Sequence, residues 1–205
     1  MIKDKKHWYD GKFYDLFIAP NQDRMFGAIK EYVKPNANIL DVGCGTGRFS
    51  FYISDKCSSV TGIDLSSKNI ITAKNNLISK PNNKIKFIHT SISEMTKYER
   101  TKFDYAVITY VIHEVNSDER LPLLNDIFKI AEKIIIGDYL IPQPKGFWKW
   151  VNELVEFFAG KEHYNNYKDF KVNNGIEGLA KKGNYKILHK LSKSPISSEI
   201  VVIEK

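Results

Sequence analysis

In the stretch ILDVGCGTGRFS, Ile39 to Ser50, an acid, Asp41, stands just ahead of three glycines at alternate positions, Gly43, Gly45 and Gly47. A second acid, Asp64, closes the next apolar run, in VTGIDLS. Glycine has no Cβ, so the backbone can turn sharply there and approach a ligand closely. The dinucleotide fingerprint G-x-G-x-x-G seats a pyrophosphate on a helix N-terminus. Here the spacing is G-x-G-x-G, and a carboxylate beside a pyrophosphate repels it. The same carboxylate suits a cationic group, directly or through water. The expected ligand is a nucleoside that carries a positive charge and no phosphates. Asp64 falls where such folds hold ribose, because a carboxylate accepts two hydrogen bonds from a vicinal diol. Asp64 alone does not exclude NAD. An NAD oxidoreductase remains a competing reading, which predicts nicotinamide binding and tolerance of Asp41→Asn.

Further groups able to do chemistry lie downstream. His113 and Glu114 follow the apolar run FDYAVITYV. His113 is a candidate general base with Glu114 orienting it, or a structural histidine. Asp138 and Tyr139 close IIIGDY, where they either line a substrate pocket or cap the turn before Pro142. His163, Tyr164 and Tyr167, in KEHYNNYKDF, either grip a substrate or pack a lid. Asp104, at a strand start, is either a cap or a ligand contact. Cys44 reads as a small buried residue in the glycine turn rather than a reactive thiol. With Cys57 it makes two cysteines, too few for a disulfide framework or a zinc site. No metal-ligating set stands out.

Short apolar runs must place these groups. Strands are expected at Asn38–Val42, Ser59–Asp64, Lys84–Thr90, Phe103–Val111 and Lys133–Ile141. Helical or polar stretches lie between them at Arg48–Ser54, Lys68–Ser79, Ser93–Tyr98 and Asp118–Ala131. Strands alternating with helices mean a mostly parallel sheet covered on both faces. Ahead of them, Met25, Phe26, Ile29, Tyr32 and Val33 share one helix face. NYKILHKLS and SSEIVVIEK are joined by a short loop containing Pro195, which permits only antiparallel pairing at or near a sheet edge. From about 142 to 182 no strand is evident. GFWKWVNELVEFFAG has helical spacing through Trp148, Val151, Leu154, Val155 and Phe158, and NNGIEGLAKKG reads as a second helix. The fold class is α/β, a single domain over 1–205. It has an N-terminal flap at about 1–22 and a helical, lid-like insertion at about 142–182.

The chain has 205 residues, 42% hydrophobic and 13% aromatic, enough for one domain with a real core. Its formal charge is +7, yet lysines are scattered and arginine is confined to Arg24, Arg48, Arg100 and Arg120. That pattern argues against a nucleic-acid partner. The charged N-terminus lacks the apolar core of a signal peptide and no run is long enough to span a membrane, so a cytoplasmic protein is expected.

ILDVGCGTGRFS, VTGIDLS, KFIHTSISEM and FDYAVITYVIHEV, in that order between Asn38 and Val115, resemble the class I S-adenosylmethionine-dependent methyltransferases. The resemblance implies a Rossmann-like three-layer sandwich with a seven-stranded sheet whose last strand is antiparallel. It implies that Asp41 and the backbone of Gly43, Cys44, Gly45, Thr46 and Gly47 serve the methionine part of S-adenosylmethionine. Asp64 would hold the ribose and Leu65 would pack on adenine. Ser91 and Ile92 stand where the family often has Asp and a small residue for the adenine amino group, and Ser91 is a weaker acceptor than Asp. Thr109 and Tyr110 would close the methionine side. The N-terminal HWYDGKFYDLF either packs on the domain or lies over the cofactor, with Tyr9 or Tyr14 touching the methionine carboxylate. The expected activity is methyl transfer to a small-molecule acceptor; the alternative is a non-catalytic binding protein acting as sensor or scaffold.

Overall fold

The computed structural model describes residues 19–144, 160–193 and 196–205. Most of the expected flap, including Tyr9 and Tyr14, lies outside them. So do the Trp148–Phe158 helix and Pro195. Residues 19–22 of that flap open a helix instead, α1 (Ala19–Tyr32).

Seven strands follow: β1 (Asn38–Val42), β2 (Ser59–Asp64), β3 (Ile85–His89), β4 (Phe103–Thr109), β5 (Ala131–Tyr139), β6 (Lys186–Ser192) and β7 (Ser198–Glu204). They form one sheet in the order β3-β2-β1-β4-β5-β7-β6. β1 to β5 pair in parallel, and β7 is antiparallel to both β5 and β6. The last strand is thus antiparallel, as expected, and inserts one place in from the edge. β6 takes the edge, where Lys186 and Lys190 on an exposed strand discourage further pairing.

The helices between strands are α2 (Arg48–Ile53), α3 (Ser67–Ser79), α4 (Ile92–Tyr98) and α5 (Arg120–Ile130), with a 3-10 turn at Ile112–Glu114. Between β5 and β6 come α6 (Lys161–Val172) and α7 (Gly175–Gly183). Ser66 starts α3 by accepting the Asn69 N–H at 3.3 Å, which satisfies one of the donors that a helix N-terminus leaves open. α5 runs straight into β5 at Ala131, where the sequence predicts helix to continue; the 131–132 peptide pairs beside Phe103 and joins the sheet.

Both faces of the sheet are covered, because alternate residues of each strand point to opposite sides. On one face Leu40, Ala106, Ile108, Ile134 and Ile136 pack against Leu124 and Ile127 of α5 and Ile176 of α7. On the other, Ile39, Val60, Tyr105, Val107 and Ile135 meet Met25, Phe26 and Ile29 of α1, Phe49 of α2 and Ile70 of α3. The chain moves outward from β1 to β3 on one side and from β4 to β5 on the other. The crevice between β1 and β4 is therefore the switch point at which such sheets bind ligands, at the carboxyl ends of their strands. Among the described residues no helix is long and apolar enough to cross a membrane.

Candidate functional site

The turn after β1 is the centre of the crevice. Gly43 and Cys44 donate their backbone N–H groups to Ile63 O at 2.8 and 3.0 Å, which draws the turn over the end of β2. Gly47 sits at φ +85°, and a Cβ there would run into the Phe87 ring, so glycine is required. Gly45 differs: at φ +53°, a Cβ on it would meet nothing within 4 Å. Its bare backbone faces open space rather than packing, which is the arrangement a close-lying ligand needs.

Asp64 binds this turn directly. Its carboxylate accepts the Gly45 N–H at 2.8 Å on one oxygen and the Ser66 N–H at 2.7 Å on the other. One acid ties together the glycine turn and the start of α3. Leu65, beside it, is left 38% exposed.

Asp41 is fully buried and accepts a 2.6 Å hydrogen bond from Ser50 Oγ. Burial pushes its carboxyl up to about 7; the negative charge of Asp64 adds to the rise, and the Ser50 hydrogen bond opposes it. Such a group is poised to become ionised when a cation approaches. Ser50, which the sequence reading did not single out, lies in the first turn of α2. Cys44 is buried and its thiol is pushed far up by that burial, with Asp41 and Asp64 adding to the rise, so it is inert packing. Asp104 accepts the Asn38 N–H at 2.7 Å at the far, amino end of the strands, a structural tie remote from the crevice.

Ser91 is the N-cap of α4, its Oγ accepting the Glu94 N–H at 3.1 Å, and Ile92 is buried. Its hydroxyl oxygen is therefore already engaged, a role the sequence reading did not assign. Thr109 ends β4, and Tyr110 adopts the left-handed conformation at φ +54°. The Tyr110 hydroxyl lies 2.9 Å from Ser198 Oγ and its ring stands edge-on to Tyr139. The ring is thus turned toward β7 and β5, and burial raises its hydroxyl well above the ordinary tyrosine value.

A second cluster forms beside β5. His113 Nδ1 is 2.7 Å from Asp138 Oδ1, and both side chains are buried. The same carboxylate accepts the Tyr139 N–H at 2.7 Å and the His113 N–H at 3.3 Å. Acting throughout as an acceptor, it requires Nδ1 to donate, which puts the lone pair of a neutral His113 on Nε2. A carboxylate from β5, Asp138, thus orients His113 through Nδ1, a pairing that the sequence reading did not make. Glu114 Oε1 lies instead 4.0 Å from His113 Nε2 and 3.5 Å from His163 Nε2. The three ligand-type groups of His113, Glu114 and His163 all fall within 4.8 Å of one another. Tyr167 stands edge-on to both His113 and Tyr139, and the Tyr139 ring is tilted against His113. Tyr164 is half-buried with Lys168 over its ring.

α6 reaches this cluster through Arg120, which is buried. Its guanidinium donates to Asp169 Oδ1 at 2.7 Å, Asn166 O at 2.6 Å and Val115 O at 2.9 Å. Asn166 Nδ2 adds a 3.0 Å bond to Glu114 O. The polar insertion helix is thereby locked onto the 3-10 turn that carries His113.

Residues 39–133 match the family described as "Methyltransferase domain". Those residues hold the glycine turn, both acids and His113. The chain has the class I methyltransferase fold. Magnesium protoporphyrin IX methyltransferase from Synechocystis PCC 6803, solved with bound SAH, superposes on this chain with a TM-score of 0.67 and 15% identity, over 99% of this chain and 90% of that one. A ubiquinone biosynthesis O-methyltransferase of Pelagibacter ubique is 32% identical over 127 residues, 56% of this chain. An uncharacterized RNA methyltransferase of Mycoplasma mobile is 32% identical over 87 residues, 41% of this chain. The chain spans about half and about a quarter of the lengths of these two curated relatives, 51% and 23%.

Proposed function

We propose that the chain binds S-adenosylmethionine in the β1–β4 crevice and transfers its methyl group to a small-molecule acceptor by in-line displacement. The observation that carries this reading is the Gly45 backbone, which faces open space while its N–H is held by Asp64. Such a turn receives a nucleoside closely, and Asp41 behind it favours a cation over a pyrophosphate. In this reading Asp41 and the backbone of Gly43–Gly47 serve the methionine part, with Thr109 and Tyr110 closing that side. Asp64 takes the ribose, Leu65 covers adenine, and Ser91 and Ile92 border the adenine edge.

Sulfonium is a good leaving group, so the protein's task is to align donor and acceptor at about 3–3.5 Å and keep water out. We assign the acceptor to the side of His113, with Tyr139, His163, Tyr164 and Tyr167 around it; Asp138 acts through His113 as a positioning residue. The burial of His113 and Tyr167, with Tyr139, His163 and Tyr164 only partly exposed around them, supports a small acceptor. Two unpaired cysteines suit a reducing cytoplasm. The likeness to an RNA methyltransferase favours a second reading, a polynucleotide acceptor.

Calorimetry with S-adenosylhomocysteine and with NAD tests the cofactor; binding of NAD alone overturns the proposal. Incubation with methyl-labelled donor and cell extract then tests the acceptor. A small labelled product supports the first reading, and nuclease-sensitive label the second. Binding without transfer to any acceptor means a sensor or scaffold.

A further inference from the structure

We propose that His113, Glu114 and His163 form a binding site for one divalent cation of the imidazole-preferring kind, zinc being its representative. The existence of this site does not depend on the methyltransferase reading; its use in holding an acceptor does.

Three observations converge. The first is the donor set: two imidazoles and one carboxylate, the combination found at open zinc and other transition-metal centres. The second is spacing. Metal–ligand bonds of about 2.1 Å at a tetrahedral centre set ligand atoms about 3.4 Å apart. Here Glu114 Oε1 lies 3.5 Å from His163 Nε2 and 4.0 Å from His113 Nε2, and all three ligand atoms fall within 4.8 Å of one another, so side-chain rotations that draw them in by up to about 1.4 Å close the site. The third is support behind the ligands. Asp138 at 2.7 Å holds Nδ1 of His113, the carboxylate–histidine arrangement that directs Nε2 toward a metal and strengthens it as a ligand. The Arg120 and Asn166 bonds fix α6, and with it His163, against the 3-10 turn. The three side chains are 2%, 14% and 12% exposed, which leaves little competing water.

Three protein ligands leave a coordination position open. On the methyltransferase reading, that position takes an oxygen or sulfur of the acceptor beside Tyr139 and Tyr167. A zinc-bound hydroxyl or thiol ionises more readily than a free one. The proton leaves to solvent, the acceptor atom forms its bond to the methyl carbon, and the carbon–sulfur electron pair stays on the sulfur of the departing thioether.

The test uses the full chain, stripped with a chelator and titrated with zinc by calorimetry and with cobalt(II) by visible absorption. One equivalent should bind, with cobalt showing the intense bands of a low-coordinate site. Glu114→Gln and His163→Asn should each weaken binding at least tenfold, and Asp138→Asn about 10- to 100-fold. His189→Asn, on the edge strand β6, should leave it unchanged. S-adenosylhomocysteine affinity, measured on every variant, reports that the fold is intact. Absence of stoichiometric metal, or binding that persists equally in Glu114→Gln and His163→Asn, overturns the proposal and leaves an ion-pair cluster only. Stoichiometric zinc without S-adenosylhomocysteine binding upholds the cation site and overturns the methyltransferase reading instead.

Discussion

Asp64, at the end of β2, accepts a 2.8 Å hydrogen bond from the backbone N–H of Gly45, in the turn after β1. The acid assigned to ribose is therefore also a fastener of the glycine turn. A carboxylate has about four lone-pair sites, so both duties fit on one group.

Asp64→Ala should thus fail twice. It frees two backbone donors, of Gly45 and Ser66, and removes the diol acceptor. Charged hydrogen bonds contribute about 1.5–3 kcal/mol each, so S-adenosylhomocysteine affinity should fall roughly 10- to 100-fold. Thermal unfolding of the free protein should come several degrees earlier, at about 2–4 °C per kcal/mol for a chain of this size. Loss of affinity with an unchanged melting temperature would contradict the fastening role.

Two glycines of one turn should respond differently. Gly47→Ala drives a methyl into Phe87 at a positive φ and should chiefly lower stability. Gly45→Ala adds about 1–2 kcal/mol of backbone strain but meets no neighbour, so its larger effect should be on cofactor binding. Denaturation and calorimetry on both variants separate the two effects.

Asp41 should make cofactor affinity depend on pH. Its carboxyl is pushed up to about 7 in the free protein, and a cationic ligand favours the ionised form. Binding then expels a proton below that value. Affinity should rise about tenfold per unit as pH approaches 7 from below and level off above it. In Asp41→Asn the profile should be flat through this window.

The same group should shape the stability of the free protein, with the opposite sign to that of an ordinary paired carboxylate. A raised folded value means the native state holds the proton more tightly than the unfolded chain. Its contribution is complete below about 4 and is lost as pH rises through about 7. At about 1.4 kcal/mol per unit, the loss approaches 4 kcal/mol. Chemical denaturation of wild type and Asp41→Asn at pH 5 and about 8 measures it; a wild type that loses no stability relative to Asp41→Asn would contradict the shift.

Ser91→Asp should improve cofactor binding. Asp caps a helix about as well as Ser, so α4 keeps its start, and the carboxylate is a stronger acceptor for an adenine amino group. A several-fold gain in S-adenosylhomocysteine affinity is expected. Ser91→Ala should lose about 1 kcal/mol of stability through the missing cap. Equal affinity in Ser91→Asp and wild type would remove Ser91 from the adenine edge.

Much of this was legible in the residue order. β1 and β2 begin and end where the apolar runs do, because Asp41 and Asp64 mark their carboxyl ends. The antiparallel finish follows from a loop too short for a crossover. The α6 helix was not legible as a helix: Glu162, His163, Asn165, Asn166 and Lys168 outnumber its apolar residues, and only Tyr167 and Phe170 anchor it in the core. Nor was the His113–Asp138 pair. Its members are 25 residues apart and meet because parallel pairing of β4 and β5 brings two strand ends together. Adjacency in sequence pointed to Glu114, whereas neighbours in a 3-10 turn diverge. His163 joins them from an insertion whose docking depends on a buried guanidinium that no periodicity reveals.

That guanidinium also couples two parts of the molecule mechanically. Arg120 grips Asp169 and the Asn166 carbonyl of α6 while donating to the carbonyl of Val115, the residue after Glu114. Tilt or slide α6 and the same rivet drags the 3-10 turn along, so His113 and His163 travel as one rigid piece rather than as independent parts.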